Sequence, residues 1–479
     1  MVTELLGIGL SFALVFAILG LAGFLKNRGV GGEVCRKMVH ILLGNWIILA
    51  VLFFRSLHLV LIVPGCFVAL NYLSYRKGTF GGIEREEGNT PGAVWYAVSL
   101  FLLCLAGWSL DQPLIAAAGI LAMGYGDGLA ALIGIRWGRR PFPTPYSGKT
   151  LEGSFAVLIF AGASVGIVFA VFAPHLAIVA AISGGAVAMA AELYSSGGLD
   201  NLTLPLSVGG VAALLVFFPE QAGLALALAA TLLILIPAFH AGSLALSGLH
   251  SATLVGVSLY ALGGWVSFLA LGAFFFLGSL ASRIGKSRKI SAYALHKRVG
   301  SRGAVQVFAN AGPAICLAAI YAFSGRDAFL LGVIASFSAA AADTFASEIG
   351  MLSKSDPVSI FGFRKLARGL SGGVTFLGLL AGTVGAGAVA LLALPAFGWR
   401  GFLIAAVFGL AGCLLDSLLG AALQAKYALP GGGLTERPAQ DGQSLPLLKG
   451  VGWVNNDLVN FVCPLISGVL ASLIAGGLL

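Results

Sequence analysis

Two aspartates occupy the same sequence frame, each within a long apolar run. Asp127 lies in GDGLAALIG and Asp343 in ADTFASEIG, and both stretches follow the pattern D-x-x-A-x-x-I-G. A carboxylate inside an apolar run is costly, so such residues usually bind or react. Carboxylates near basic residues and glycines suit phosphoryl transfer, because they hold a divalent metal while the cations offset phosphate charge and the glycines allow close approach.

Further polar residues accompany Asp127 in the first half of the chain. The sequence predicts catalytic roles for Asp127, Lys149 and His40. The predicted Mg²⁺ ligands of this half are the carboxylates Asp127, Glu192 and Asp200. Residues predicted to bind nucleotide or phosphate are Arg36, Lys37, Gly126, Gly128, Gly148, Thr150, Glu152 and Asn201. Thr150 is also expected to cap a helix that begins at Leu151.

The second half repeats this inventory around Asp343. Catalytic roles are predicted for Asp343, Glu348 and Arg368. The predicted metal ligands are Asp343, Asp416 and Asp457. Nucleotide or phosphate binding is predicted for Gln306, Asn310, Arg364 and Lys365. The residue types leave open which carboxylate acts as a base and which binds metal.

Structural alternatives exist for several of these residues. The Gly148-Lys-Thr150 sequence is not a P-loop, because Pro143 stands where the Walker pattern requires glycine. Arg36 and Lys37 could serve only as topology anchors, and Asp416 as a buried polar contact between helices. The cluster from Asn455 to Asp457 could cap the last span.

Composition defines the elements that must position these residues. The chain has 479 residues, of which 58% are hydrophobic and 10% charged, and its mean hydropathy is +0.98. These values predict an all-α polytopic membrane protein with about 14 to 16 transmembrane helices. Its six cysteines show no metal-binding or disulfide spacing.

Basic residues predict the orientation of the chain. When the apolar spans alternate across the bilayer, all but three of the 28 Lys and Arg residues fall on one side, the exceptions being Arg55, Arg326 and Arg400. The positive-inside rule assigns that side to the cytoplasm, and the candidate residues with it. Because these charges lie between spans, we expect contacts with headgroups or phosphates and no binding of nucleic acid.

The repeated frame predicts two related helical modules. A second match pairs Lys149–Gly153 with Arg368–Gly372 in the same order along the chain. We therefore predict one module over residues 1–205, linking transmembrane segments over 206–245, and a second module over 246–479.

Longer motifs carry two family resemblances. The first 205 or so residues resemble the CTP-dependent polyprenol kinase family that includes phytol kinase and dolichol kinase, through RKMVHILLG, GDGLAALIG, SGKTLEGS and GLDNLTLPL in that order. From about residue 240 the chain resembles the integral-membrane family that contains phytyl phosphate kinase, through RGAVQVFANAG, ADTFASEIG, LSGGVTFLG and DSLLGAALQ.

These resemblances imply two successive reactions in one chain. An isoprenoid alcohol such as phytol would be phosphorylated by the first module, and its monophosphate would become the diphosphate in the second. The expected partners are the lipid alcohol, its monophosphate, the nucleotide and the bilayer, with Mg²⁺ as cofactor and CTP as donor. A CTP-dependent cytidylyltransferase that makes CDP-lipids needs the same residue types. A small-molecule transporter is the other alternative, although its polar groups would normally lie deeper in the membrane.

Overall fold

The computed structural model describes residues 2–77, 91–141, 149–195, 197–285, 301–361, 364–429, 433–440 and 443–478. The chain divides into two compact units, Met1–Ile236 and Pro237–Leu479, called unit 1 and unit 2 below. Helices dominate both units, which confirms the predicted all-α fold class.

Unit 1 is helical over most of the residues that the structure describes. In chain order they are α1 (Val2–Asn27), α2 (Gly32–Gly44), α3 (Trp46–Phe53), α4 (Leu57–Lys77), α5 (Gly92–Ser109), α6 (Pro113–Leu121), α7 (Gly128–Trp137), α8 (Leu151–Phe172), α9 (Ala177–Tyr194), α10 (Asp200–Phe217) and α11 (Ala222–His240), whose last residues belong to unit 2. A π-helical turn, Ala122–Asp127, joins α6 to α7. Such turns are rare in proteins, and those that occur are often found at functional sites.

Unit 2 combines long helices with short strands. The helices are α12 (Leu246–Arg283), α13 (Ala304–Ser324), α14 (Asp327–Gly350), α15 (Phe376–Ala390), α16 (Leu394–Ala422) and α17 (Asn456–Leu478). The strands are β1 (Val358–Ser359), β2 (Gly373–Val374), β3 (Lys426–Ala428), β4 (Leu434–Thr435), β5 (Ala439–Gln440), β6 (Gln443–Ser444) and β7 (Leu447–Lys449). The named strands pair antiparallel: β1 with β2, β5 with β6, and a three-stranded sheet in the order β4-β3-β7.

Fourteen helical segments of the described residues are long and apolar enough to cross a membrane. Two of these segments, the ones that contain α12 and α16, are longer than one crossing requires. Helix α12 alone has 38 residues, or about 57 Å, whereas the hydrocarbon core is about 30 Å thick. Both are interrupted by a glycine with a φ of 60°, at Gly264 and Gly398. Division at these glycines adds two crossings and brings the number to the upper end of the predicted range.

One central helical path in each unit carries the repeated frame. In unit 2 this is α14, which contacts α12, α13, α15, α16 and α17 and is buried over 78% of its span. In unit 1 it is the path from α6 through the π-helical turn to α7, which contacts α2, α5, α8, α9 and α10. Asp127 and Asp343 lie in the second half of these paths. Each repeated aspartate therefore lies on a helical path that several other helices of its unit surround.

Candidate functional site

A buried ion pair joins α2 to the central path of unit 1. Lys37 Nζ lies 2.5 Å from Asp127 Oδ2, and the two side chains are only 5% and 8% exposed. His40, one helical turn further along α2, places Nδ1 3.6 Å from the same oxygen. The Tyr96 ring packs on the His40 ring with a centroid separation of 4.8 Å, and its hydroxyl donates to the His40 carbonyl. Lysine, histidine and aspartate thus form one buried triad.

Glycines allow the neighbouring helices to approach Asp127. A Cβ added at Gly126 would lie 2.9 Å from Ala161 Cβ on α8, and one added at Gly128 would overlap the Ile41 side chain on α2. Small residues are common where membrane helices pack closely. Helix packing accounts for both glycines, and their role in nucleotide binding stays a prediction.

A second ion pair connects the start of α8 to the end of α9. Lys149 Nζ lies 3.1 Å from Glu192 Oε1 and also donates to the Glu192 backbone carbonyl. Glu192 interacts electrostatically with Asp127 and Asp200 as well. Electrostatic interactions thus connect the Lys149–Glu192 pair with Asp127 and Asp200.

Two further predicted residues of unit 1 have local partners. Arg36 donates to both carboxylate oxygens of Glu33, at 3.0 and 2.5 Å, and interacts electrostatically with Asp127 and Asp200. Asn201 is buried and donates through Nδ2 to the Gly92 carbonyl at 3.0 Å. This contact fixes the start of α10 against the start of α5.

The segment before α8 contains the predicted helix cap. Thr150 Oγ1 accepts a hydrogen bond from Gly153 N at 3.2 Å and α8 begins at the next residue, which confirms the cap. The Glu152 carboxylate accepts from the backbone N–H groups of residues 139 and 140 at 3.1 and 3.3 Å. Gly148 lies outside the described residues.

A cavity of about 1160 Å³ occupies unit 2. Most of the residues predicted for this half of the chain line it, namely Gln306, Asn310, Asp343, Glu348, Arg368, Asp416 and Asp457. The structure thus brings together residues from α13, α14, α16 and α17 that are up to about 150 positions apart in the sequence. Asn455, beside them, caps α17 by accepting from Leu458 N at 2.9 Å.

The cavity has walls of two kinds. Helix α12 contributes Leu271, Phe274 and Phe275. The carboxylates Asp343 and Asp416 line the cavity as well. An apolar wall next to charged groups suits an amphiphilic ligand with a polar head.

The predicted basic residues between β1 and β2 divide into two groups. Arg368 lines the cavity, donates to the Lys354 carbonyl at 3.1 Å and lies 3.8 Å from Asp356. Lys365 is 81% exposed and lies 3.5 Å from the same aspartate. Arg364 is exposed too, and neither it nor Lys365 is among the described lining residues. Phosphate binding by these two residues stays a prediction.

Short strands and the turn before β2 cover one side of the cavity. Lys426 is buried and donates through Nζ to the Ser371 carbonyl at 2.9 Å, while Glu436 Oε1 accepts from Ser371 N at 2.6 Å. Burial lowers the pKa of Lys426 below its usual value. Sequence reasoning missed this contact, because a lysine just after a span is ordinarily explained by membrane topology.

The carboxylates of unit 2 are compatible with Mg²⁺ bound together with a nucleotide. Within the described ranges, no group of three or more His, Cys, Asp or Glu side chains is arranged to hold a metal ion. Mg²⁺ in nucleotide sites usually takes one or two carboxylates and completes its shell with phosphate oxygens and water. Asp343 and Asp416 both line the cavity and supply two carboxylates, which fits that pattern.

Both repeated frames pack against a capped helix in the same way. A Cβ at Gly134 would lie 3.3 Å from Thr150 Oγ1, and one at Gly350 would lie 3.2 Å from Thr375 Oγ1. Thr375 caps α15 as Thr150 caps α8, accepting from the backbone N–H three residues later at 3.0 Å. The repeat therefore includes a glycine at the end of the frame and a threonine cap on the next helix.

This geometry corrects one alignment made from sequence. Thr375 is the counterpart of Thr150, so the pairing of residues 149–153 with residues 368–372 is wrong. The lysine before Thr150 is matched by Val374. The two stretches have similar residues, but they are not equivalent, because the connection before the cap is longer in unit 2, where it includes β1 and β2.

Comparison with known proteins identifies relatives but no solved fold. The family model described as integral membrane protein DUF92 matches residues 229–468. A phytol kinase from Synechocystis sp. is 34% identical over 207 residues, which cover 42% of this chain and 88% of the relative. An uncharacterized membrane protein from Methanocaldococcus jannaschii is 32% identical over 47% of this chain and 84% of its own length. Protein VTE6, chloroplastic, from Arabidopsis thaliana is 27% identical over 48% of this chain and 65% of its own length. No solved structure matches the chain.

Proposed function

The chain belongs to the integral membrane protein family DUF92 and is similar to a phytol kinase, and from this premise we propose that it phosphorylates a long-chain prenyl alcohol within the membrane. The similarity to a protein named phytol kinase supports both the reaction class and the substrate class. Phytol is the first substrate to test.

We further propose that the chain carries out two phosphorylations, one in each unit. The match to the phytol kinase covers 207 residues, fewer than either unit contains, so one unit is long enough to account for it. The second frame, with its own threonine cap, then provides a second site. Unit 1 would convert the alcohol to the monophosphate, and unit 2 would convert the monophosphate to the diphosphate.

One sequence difference carries this assignment of order. The stretch RKMVH at the start of α2 and the stretch RGAVQ at the start of α13 have Arg and Val at the same spacing, so His40 in unit 1 is matched by Gln306 in unit 2. An alcohol must lose its proton during transfer, whereas a phosphate monoester is already ionised at neutral pH because its second pKa is about 6. A base is therefore needed for the first reaction only.

In unit 1 the triad positions the base. The Asp127 carboxylate faces His40 Nδ1 at 3.6 Å, which leaves Nε2 to accept the proton of the prenyl hydroxyl. The alcohol oxygen forms a bond to the terminal phosphorus of the nucleotide as the bond to the bridging oxygen breaks. The Lys149 amino group, held next to Glu192, offsets phosphate charge as the transfer proceeds.

In unit 2 the cavity holds a lipid phosphate beside a nucleotide. Its volume of about 1160 Å³ is larger than the roughly 300–1,000 Å³ of most single-ligand pockets, which supports two substrates together. Arg302, just before α13, lines the cavity as Arg368 does. Both would bind phosphate oxygens, and α12 would contact the prenyl chain. A Mg²⁺ ion, which Asp343 and Asp416 could hold, would neutralise nucleotide charge when bound.

Three finer parts of the proposal have separate support. CTP as the donor is supported by the resemblance of the first half to CTP-dependent polyprenol kinases. A cytoplasmic orientation is supported by the distribution of Lys and Arg between the spans. Joining the reactions in one chain makes physical sense, because the monophosphate is an amphiphile confined to the membrane.

The decisive experiment supplies purified protein with phytol, or with phytyl phosphate, and CTP labelled at the terminal phosphate. We expect Asp127→Asn to abolish phosphorylation of phytol and to retain phosphorylation of phytyl phosphate. Asp343→Asn should stop at the monophosphate. The released nucleotide should be CDP, because release of pyrophosphate would indicate cytidylyl transfer. If both variants retained both reactions, the assignment of sites would be wrong.

A further inference from the structure

Gln424 occupies a rigid position where α16 leads into β3. On one side Val451 N donates to the Leu423 carbonyl at 2.9 Å, and on the other Ala425 N donates to the Val454 carbonyl at 2.9 Å. Gln424 itself forms a parallel bridge with Val451. The backbone at this residue is thus fixed from both sides, and the side chain contributes to the cavity lining.

The carboxamide of Gln424 is buried without a partner. The residue is 2% exposed, and neither Oε1 nor Nε2 forms a hydrogen bond with the part of the chain that the structure describes. An unpaired buried polar group is unfavourable because it has lost its hydrogen bonds to water, so nearly all such groups in folded proteins have a partner. A carboxamide left unpaired beside a large cavity therefore indicates a ligand that pairs with it.

The charged neighbours of Gln424 are already engaged. Lys426 Nζ donates to the Ser371 carbonyl, and Glu436 Oε1 accepts from Ser371 N. Gly420 lies next to the amide, since a Cβ added there would be 3.4 Å from Gln424 Oε1. The same Cβ would lie 3.0 Å from Ser371 Cβ, so the glycine allows the turn before β2 to approach α16 beside the carboxamide.

We propose that Gln424 binds the nucleobase of the phosphate donor in unit 2. A carboxamide presents one donor and one acceptor side by side, and nucleobase edges carry adjacent acceptor and donor groups that match them. Ionised phosphate oxygens only accept, and a prenyl chain does neither, so neither of these parts would pair with both groups of the amide. The ribose hydroxyls can donate and accept, and ribose 5-triphosphate therefore serves below to separate binding of the ribose from binding of the base. This inference rests on the proposed function, because that function supplies the nucleotide.

The position of Gln424 agrees with this assignment. It follows the last residue of a membrane-spanning segment and precedes the strands, so it lies outside the candidate spans. Phe274 and Phe275 line the cavity from within a candidate span. A nucleotide that enters from water would place its base near the strands, while the prenyl chain contacts the span.

The test follows hydrogen exchange of residues 419–428 while CTP is titrated onto the full chain. In the wild type, we expect CTP to protect these amides, and we expect Gln424→Met to raise the half-saturating concentration about tenfold, equivalent to about 1.4 kcal/mol, because the hydrogen bonds of the amide to the base are lost. Inorganic tripolyphosphate, which lacks a nucleoside, should bind both proteins equally. Gln221→Met, at an exposed glutamine of unit 1, is the matched control and should behave as wild type.

Each outcome distinguishes the inference from the proposed function. Equal CTP protection in Gln424→Met and wild type would overturn the role of Gln424 and leave the kinase proposal intact. CTP protection that depends on Gln424, without phosphate transfer to phytol or phytyl phosphate, would support the nucleobase site and overturn the kinase.

A comparison within the wild type covers the case in which Gln424→Met does not fold. Ribose 5-triphosphate, which has no base, should protect the same amides at least tenfold more weakly than CTP. Equal protection by the two compounds, or none by CTP, would overturn the inference. We expect folding of Gln424→Met to be preserved, because replacing an unpaired buried amide with an apolar group of similar size is usually neutral or stabilising.

Discussion

Units 1 and 2 place the same frame at their centres but surround its aspartate differently. In unit 1, Asp127 is in contact with Lys37 at 2.5 Å and with His40 at 3.6 Å, and all three side chains are buried. In unit 2, Asp343 lines a cavity of about 1160 Å³. The repeat thus determines where the carboxylate sits along its helix, while residues on other helices determine what it contacts.

The two lysines that form the ion pairs of unit 1 have no lysine at the matching positions of unit 2. Lys37 corresponds to Gly303 in the matching stretch of α13, and the lysine before Thr150 corresponds to Val374. Glycine and valine carry no charge, so neither ion pair of unit 1 can form at the matching positions of unit 2. A repeated motif alone therefore does not imply a repeated electrostatic environment.

Removing the buried cation of unit 1 is expected to have the largest effect on stability. Lys37→Met leaves the Asp127 carboxylate buried without its partner, which should lower the free energy of unfolding of unit 1 by about 3–5 kcal/mol. Denaturant titration in detergent, read by hydrogen exchange of α2 and α7, measures this loss. Adding Asp127→Asn to the same variant should restore most of it. A single variant as stable as wild type would show that the ion pair does not hold unit 1 together.

Exchanging the proposed base for its counterpart in unit 2 tests the chemical side of the comparison. We expect His40→Gln to slow phosphorylation of phytol by about 100-fold or more, the usual contribution of a general base, with phosphorylation of phytyl phosphate unchanged. Rates measured separately for the two substrates check this. His58→Gln, at an exposed histidine, is the control. Equal slowing of both reactions would contradict the division of labour.

The smallest expected effect concerns the feature that the units have in common. Thr150→Ala and Thr375→Ala each remove a helix cap, and each should lower the free energy of unfolding by about 1 kcal/mol. Serine at either position should retain most of the stability, because its hydroxyl can make the same hydrogen bond. Thermal unfolding in detergent provides the measurement. A loss in one unit but not in the other would break the structural equivalence of the caps.

Local sequence signals predicted the fold and one detail of the candidate site. Long apolar runs predicted the helical spans because hydrocarbon tolerates only backbones that satisfy their own hydrogen bonds. Thr150 was predicted as a cap because threonine before an apolar run satisfies an exposed N–H group. Both signals depend on residues that are close in the chain.

Contacts between residues that are far apart in the sequence could not be predicted from such local signals. The charge of Lys37 was ambiguous between topology anchor and phosphate ligand, and its partner Asp127 lies 90 residues away. Lys426 and Glu436 converge on Ser371 where β3 and β4 pair as a sheet. Which charges meet depends on tertiary packing, and a single sequence does not contain that information directly.

The glycines that interrupt α12 and α16 are constrained by the handedness of the backbone. A Cβ added at Gly264 or Gly398 would meet nothing within 4 Å, so room for a side chain is not the limit. Their φ and ψ angles, 60° with −159° and 60° with −163°, belong to a region that only glycine occupies readily, because it has no chiral centre. At Gly185, in contrast, a Cβ would lie 2.5 Å from the Leu158 carbonyl oxygen. Among the 68 glycines, therefore, some are required because a side chain would not fit and others because their φ angle is unfavourable for an L-residue. A D-alanine would be tolerated at the second kind of position but not at the first.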